Sequence, residues 1–250
     1  MIWVGIWNTE AAMRGWEFDG ATLVKPLDAG ACRAAFETLP ADRILVAGAE
    51  GAPPDKLPSS VLPDQLLTGP DALILPGFEQ SAPLHRISGG RLTALGFLAL
   101  NDGWDGVICL PGPVTHWLSI SAGEAVFLQS SLTLGIAATL QAANAHPDDT
   151  ALSGALSRPE RLATGLRSAA LAGDHGAIMG QLLGAELAAT RALWLGQQLA
   201  VLGDGPGHDA YCSALVTQGA PVTRASAAVM AEKGMKTIGA RFRLGQPNGR

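Results

Sequence analysis

Four short apolar runs each stop at a glycine or proline turn, and this recurrence constrains the fold more than any other feature. Arg43–Ala47 runs into Gly48-Ala49-Glu50-Gly51, and Asp71–Leu75 into Pro76-Gly77. Gly106–Leu110 enters Pro111-Gly112-Pro113, and Leu199–Leu202 enters Gly203-Asp204-Gly205-Pro206-Gly207. Such runs read as buried strands, because they are too short for core helices and are bounded by breakers. Helical patterns lie between and after them, over 29–39 (closed by Pro40), 91–101, 129–143, 159–171, 175–198, 208–218 and 225–238. Within 175–198, Ile178, Met179, Leu182, Leu183, Leu187 and Leu195 read as core packing, and Asp174 with His175 reads as the helix start. Strands alternating with helices predict an α/β fold.

The chain opens differently, on a β-meander. Ile2–Trp7, Met13–Phe18 and Ala21–Pro26 are strand-like, with Asp19-Gly20 as a hairpin turn. Five prolines between residues 52 and 71 forbid a long helix or central strand there. After a break near Asn101–Trp104 the pattern restarts, with His116–Ile120 and Ala125–Leu128 as short strands around Ser121-Ala122-Gly123-Glu124. A strand at 221–224 comes near the end. Two α/β lobes with a cleft between them are expected: residues 1–102, residues 103–240, and a frayed tail over 241–250.

The 250 residues suffice for a substantial core. Charged residues make up 16% and hydrophobic ones 48%, a globular balance rather than a disordered one. A net charge of −5 argues against a nucleic-acid binder, which needs a basic surface for phosphates. It leaves small anions open, because loop N–H groups can hold a phosphate without net positive charge. Mean hydropathy is +0.22, yet the longest apolar stretches, Ala94–Leu100 and Ile178–Ala189, fall short of the ~20 residues a membrane span needs. No signal peptide is read at the start. Cys32, Cys109 and Cys212 lack metal-ligand spacing and read as small buried hydrophobes of a cytosolic protein.

Several loops carry groups suited to chemistry, each with a plain alternative. Gly203–Gly207 follows a strand and precedes a helix, so it is either a tight turn or a place where backbone approaches a nucleotide. Pro111–Trp117 is either a rigid turn or the seat of Thr115 and His116, the latter with a pKa suited to acid–base work. Glu10 and Glu124 are turn glutamates or cleft carboxylates. No G-x-S-x-G, H-E-x-x-H, C-x-x-C or P-loop pattern is present.

In order along the chain, these segments resemble the 2-dehydro-3-deoxygalactonokinase (2-keto-3-deoxygalactonate kinase) family. Met179-Gly180-Gln181-Leu182-Leu183-Gly184-Ala185-Glu186-Leu187 is similar to the family's G-L-L-I-G-A-E helix, and Ala163-Thr164-Gly165-Leu166 to its A-x-G-L. Val201-Leu202-Gly203 and Tyr211 resemble the adenosine-side strand, turn and helix. Leu110-Pro111-Gly112 with Trp117 resembles P-G-T-H-S-K-W, and Ala122-Gly123-Glu124 resembles T-G-E. Ala47-Gly48-Ala49-Glu50-Gly51 and Leu75-Pro76-Gly77 resemble A-G-M-x-G and I-P-G.

The resemblance implies a two-lobed sugar-kinase/actin-like ATPase (ribonuclease H-like) fold, with the sugar acid on the first lobe and the nucleotide on the second. It implies ATP-dependent phosphorylation of a 2-keto-3-deoxy sugar acid with Mg²⁺, in the cytoplasm, without nucleic acid or membrane, and with a homodimer open. Trp7, Arg14, Gly89 and Arg91 fall on the sugar-acid side. Asn8, Thr9, Gly112, Thr115, Gly203, Asp204 and Gly205 fall on the nucleotide side.

Three segments depart from the family pattern. Ile6 stands where the family's D-W-G-[ST]-[ST] has its Asp, Ser88–Thr93 lacks both glutamates of R-G-E-E-T-Q, and Pro113-Val114-Thr115-His116 lacks the lysine of T-H-S-K. Glu10, His116 and Glu124 then remain for base or metal duties. The alternative is a catalytically impaired pseudokinase that binds a sugar acid, a nucleotide or a protein partner.

Overall fold

The computed structural model describes residues 1–10 and 12–246. It is a mixed α/β protein whose chain forms two compact units that are not contiguous in sequence. The first takes Met1–Trp104, Ile120–Leu128 and the segment from Ala227 onward; the second takes Asp105–Ser119 and Gln129–Ser226. A linear division at residue 102 places the first crossing but not the return of the hairpin tip or of the last helix.

In the first unit the six-stranded sheet runs Thr22–Leu27, Met13–Asp19, Ile2–Asn8, Ile44–Ala47, Leu73–Leu75, Leu67–Thr68. The meander is antiparallel, as expected, whereas Ile2–Asn8, Ile44–Ala47 and Leu73–Leu75 are parallel. Ile2–Asn8 is central and buried on both faces, so its residues divide by the two-residue period of a strand. Val4 and Ile6 pack with Cys32 and Ala35 of the helix Ala29–Thr38, whose N-terminus is capped by Asp28. On the other face Trp3 and Gly5 meet Gly239 and Met235 of the helix Ala227–Arg241.

That last helix crosses the helix Gly90–Leu98 at glycines. A Cβ on Gly96 would lie 1.7 Å from the Met230 carbonyl, and one on Gly234 would lie 2.2 Å from that of Leu92. The expected frayed tail is corrected over its described part. Leu244 is buried, and its N–H donates to the Gly239 carbonyl, closing the helix end. Residues 247–250 of that expectation lie outside the described residues.

A three-stranded sheet, Leu84–Ile87, Phe78–Ser81 and Asp55–Lys56, was not foreseen. Its buried carboxylate, Glu79, is gripped by the exposed Lys56 and Arg86. Hydrogen bonds from Lys56 and then Arg86 pull Glu79 below the ordinary carboxylate value of 4.5. A depressed folded-state pKa stabilises the fold above the unfolded value, and that stability is lost as pH falls through the folded one. The wild type is therefore expected to lose unfolding free energy more steeply below pH 4.5 than Glu79→Gln does, in urea titrations across that range.

In the second unit Val222–Ala225, Leu199–Leu202 and Gly106–Leu110 lie side by side and parallel, with Thr115–Ser121 next. The helix Pro206–Thr217 and the helix His175–Ala189, capped by Asp174, contribute Tyr211, Cys212, Leu183 and Leu187 to one core with Trp117 and Trp194. Three helix expectations are corrected. The region 129–143 keeps its strand to Ser131 and forms a helix only over Thr133–Thr139. A helix at Asp149–Ser157, capped by Asp148, precedes Leu162–Ala172. The long helix stops at Ala189, where the Thr190 hydroxyl donates to the Glu186 carbonyl, and Leu195 lies beyond it and is exposed. Among the described residues no helix is long and apolar enough to cross a membrane.

Candidate functional site

In the first unit the carboxyl ends of three parallel strands share one edge, the place where open α/β sheets bind ligands. Asn8 ends the central strand there. Its carbonyl is wedged between two glycines: a Cβ on Gly48 or on Gly89 would sit 2.1 Å from it. Gly48 is also left-handed, with φ +83°. Among the described residues the Asn8 Oδ1 is buried and has no hydrogen-bond partner, an acceptor stripped of water.

Around this point, Trp7 Nε1 donates to the Gly89 carbonyl at 3.0 Å and the Trp7 ring stacks on Trp16. Arg14 lies directly across the ladder from Trp7 and is exposed. Thr9 uses its hydroxyl and its N–H to close a turn with Ala12, and Glu10 is exposed. Ile6 is fully buried on the opposite face of the strand, among Cys32 and its neighbours.

Arg91, expected to touch substrate, is instead fully buried, and this corrects its role. Its Nε donates to the Val61 carbonyl at 3.0 Å and Nη2 to that of Ser60 at 2.7 Å. Nη1 donates to Asp55 Oδ2 at 2.6 Å and to the Pro76 carbonyl at 3.0 Å. The guanidinium also lies 4.3 Å over the Phe78 ring. Burial lowers its pKa while Asp55 opposes the shift, and an arginine remains charged in either case. Arg91 is the bolt that fixes the proline-rich stretch, and it underlies a 210 Å³ cavity bordered by Asp55, Ser60 and Asp64. Glu124 is exposed at its hairpin tip, cross-strand from Ser60.

In the second unit, Gly106–Leu110 and Leu199–Leu202 run parallel, so the loops after them open on one edge. Gly203 is buried and donates to the Ala225 carbonyl, Asp204 is exposed, and Gly205 at φ +79° starts the helix Pro206–Thr217 with no side-chain cap. A helix beginning in this way presents backbone N–H groups to an anion. Gly112 lies in the neighbouring loop, and its carbonyl accepts the Thr115 hydroxyl at 3.5 Å. His116 is buried, with Nδ1 2.8 Å from Ser130 Oγ.

The residue missed from sequence is Glu186. It sits on the buried face of an otherwise apolar helix and accepts from Trp117 Nε1 at 2.6 Å and from the Tyr211 hydroxyl. Tyr211 Oη is also 3.0 Å from Thr115 Oγ1. Burial, and then the Glu186 charge, push Tyr211 well above its ordinary pKa, so its proton stays in place. The signal was a single carboxylate in the apolar run 178–189, where solvated charge is not expected. A wider cavity of about 480 Å³ lies elsewhere in this unit, beside Arg158, Arg161, Thr164 and Gln181. Thr164, Gly165 and Gln181 of the two helix motifs border it, but none of the residues assigned to the sugar acid, the nucleotide or the chemistry does.

The three cysteines are buried and free, and burial raises each pKa, which favours the thiol over the thiolate. Among the described residues no cluster of His, Cys, Asp or Glu could by itself hold a metal ion.

A family model described as 2-keto-3-deoxy-galactonokinase matches residues 28–238. None of the curated proteins matches the chain. Among solved structures, a Sinorhizobium meliloti protein provisionally described as a 2-dehydro-3-deoxygalactonokinase is similar with a TM-score of 0.79 and 19% identity, covering 96% of this chain and 99% of that one. At that identity the likeness speaks for the fold.

Proposed function

The chain belongs to the 2-keto-3-deoxy-galactonokinase family, and on that premise we propose that it transfers the γ-phosphoryl group of ATP to a hydroxyl of a 2-keto-3-deoxy sugar acid. The observation that carries the reading is the family match across residues 28–238, which includes both the Asn8-facing Gly48 and Gly89 and the loops at Gly112 and Gly203. In this reading the two units are the lobes of a sugar-kinase/actin-like fold. The first takes the sugar acid near Trp7, Arg14 and Gly89. The second takes the nucleotide at Gly112, Thr115 and Gly203–Gly205, and the resemblance also assigns Asn8 and Thr9 of the first unit to the nucleotide. The protein works in the cytoplasm on small molecules, and a homodimer is open to test.

Catalysis of this class is positioning and charge neutralisation more than covalent chemistry. The uncapped N-terminus at Gly205 and the backbone of two glycine loops supply donors for phosphate oxygens. Arg14, exposed beside Trp7, is suited to the carboxylate of a sugar acid. Magnesium in such sites keeps waters and phosphate oxygens as ligands and needs only one or two protein oxygens. Asn8 Oδ1, buried and unpaired among the described residues, is not open to a hydrated ion, so the ion would rest on phosphate oxygens and water and neutralise phosphate charge there. Glu10 and Glu124 are the exposed carboxylates for removing the acceptor hydroxyl proton, whereas buried His116 is bonded to Ser130.

The test is steady-state ADP release with ATP, Mg²⁺ and 2-dehydro-3-deoxygalactonate, comparing Glu10→Ala, Glu124→Ala and His116→Ala. The base variant is expected to lose about 10²-fold or more in kcat. Equal rates in all three would remove these residues from the chemistry.

A further inference from the structure

We infer that Glu186 is a positioning residue that sets the geometry of the phosphate-binding loops of the second unit. Its carboxylate joins three elements distant in sequence: its own helix His175–Ala189, the strand Thr115–Ser121 through Trp117, and the helix Pro206–Thr217 through Tyr211. The last two each continue directly into a loop on the shared sheet edge. Thr115 bonds the Gly112 carbonyl, and the helix of Tyr211 begins at Gly205. Tyr211 Oη also lies 3.0 Å from Thr115 Oγ1; with the Tyr211 proton on Glu186, the one Thr115 proton serves either Tyr211 or the Gly112 carbonyl, so the Gly112 loop and the Gly205 turn are both referred to one carboxylate.

Stability alone does not call for an acid at this position. The surrounding core is Trp117, Leu183, Leu187, Trp194 and Leu215, where an apolar side chain would fill the space without desolvating a charge. Glu186 pairs with no cation among the described residues. What a carboxylate offers that leucine cannot is two acceptors at a fixed separation. Trp117 and Tyr211 each have one ring-borne donor, so strand and helix cannot slide independently without breaking a bond in a dry interior. Loops that receive a triphosphate need this registration, because a misplacement of about 1 Å costs on the order of 10²-fold in rate. The inference rests on the kinase reading for the identity of its ligand, ATP.

The experiment measures ATP affinity by isothermal titration and the KM values for both substrates on the full chain, using Glu186→Gln and Tyr211→Phe. Glutamine keeps the volume but turns one acceptor into a donor, and phenylalanine deletes the link to Thr115. Both variants are expected to weaken ATP binding about tenfold or more while the KM for the sugar acid stays within about twofold. Assays run well below each variant's melting temperature, and Tyr211→Phe carries the test if Glu186→Gln does not fold. ATP affinity within about twofold of wild type in the folded variants would overturn the inference, as would an equal loss for both substrates that tracks melting temperature. A wild-type chain that binds ATP but phosphorylates no sugar acid would overturn the kinase reading and leave this inference standing. A wild-type chain that binds no ATP would overturn both.

Discussion

Arg91→Ala is expected to lower the unfolding free energy by about 5 kcal/mol, the largest effect of any single substitution considered for this chain. The change strands the carbonyls of Ser60, Val61 and Pro76 in the interior without their donors, and it leaves a cavity over the Phe78 ring. Asp55 suffers less, because its side chain is 39% exposed and can turn to water. Arg91→Lys should recover only part of the loss. An ammonium is a compact donor on a flexible stem and cannot reach four acceptors arranged around a planar fork. Equilibrium urea unfolding measures the loss. Limited proteolysis should show new cleavage between residues 52 and 71, because Arg91 is what ties that stretch down. Unchanged stability in Arg91→Ala would mean that the proline-rich segment is held by its own turns.

Glu186→Ala should cost about 4 kcal/mol through a different route. It leaves the Trp117 indole N–H without a partner and forces the Tyr211 hydroxyl onto Thr115 alone, inside a core with no room for solvent. Glu186→Leu, which fills most of the volume, should cost less than alanine although it removes the same acceptor. If alanine and leucine cost the same, the network rather than the cavity sets the loss. If both are neutral, the hydrogen bonds contribute nothing net and the core is held by packing alone. Thermal unfolding of the two variants side by side decides this.

Local signals in the sequence were legible where one physical effect dominates. Ile2–Asn8 alternates two buried faces, Asp174 caps its helix as a short acceptor does, and glycine or proline turns close four of the parallel strands. Reading failed where the determinant lay far along the chain. The hairpin Phe78–Ile87 carries Glu79, Gln80, His85 and Arg86, too polar to announce a sheet. Its carboxylate is buried only because Lys56 and Arg86 neutralise it. The helix Ala227–Arg241 looked like the end of the second half, yet Gly234 and Gly239 fit it against Leu92 and Trp3. Nothing local tells a helix which sheet it will cover.

The site followed the same division. Motif order pointed to Asn8, Gly89, Gly112 and Gly203, residues that shape backbone at strand ends. The resemblance puts Arg91 on the sugar-acid side, but a place in a motif does not say whether a guanidinium faces a ligand or three carbonyls. Glu186 stands within a helix motif with no role of its own legible, because its partners Trp117 and Tyr211 lie 69 and 25 residues away.

The central claim is that this chain, despite Ile6 where its family has an aspartate, is a working phosphotransferase. The most direct measurement is ³¹P NMR of a reaction holding the protein, ATP, Mg²⁺ and 2-dehydro-3-deoxygalactonate. The account predicts that the γ-phosphate resonance is replaced by a phosphomonoester, in step with ADP and only when the sugar acid is present. ATP that stays intact beside the sugar acid, in a protein that ATP nonetheless stabilises against heat, would contradict it.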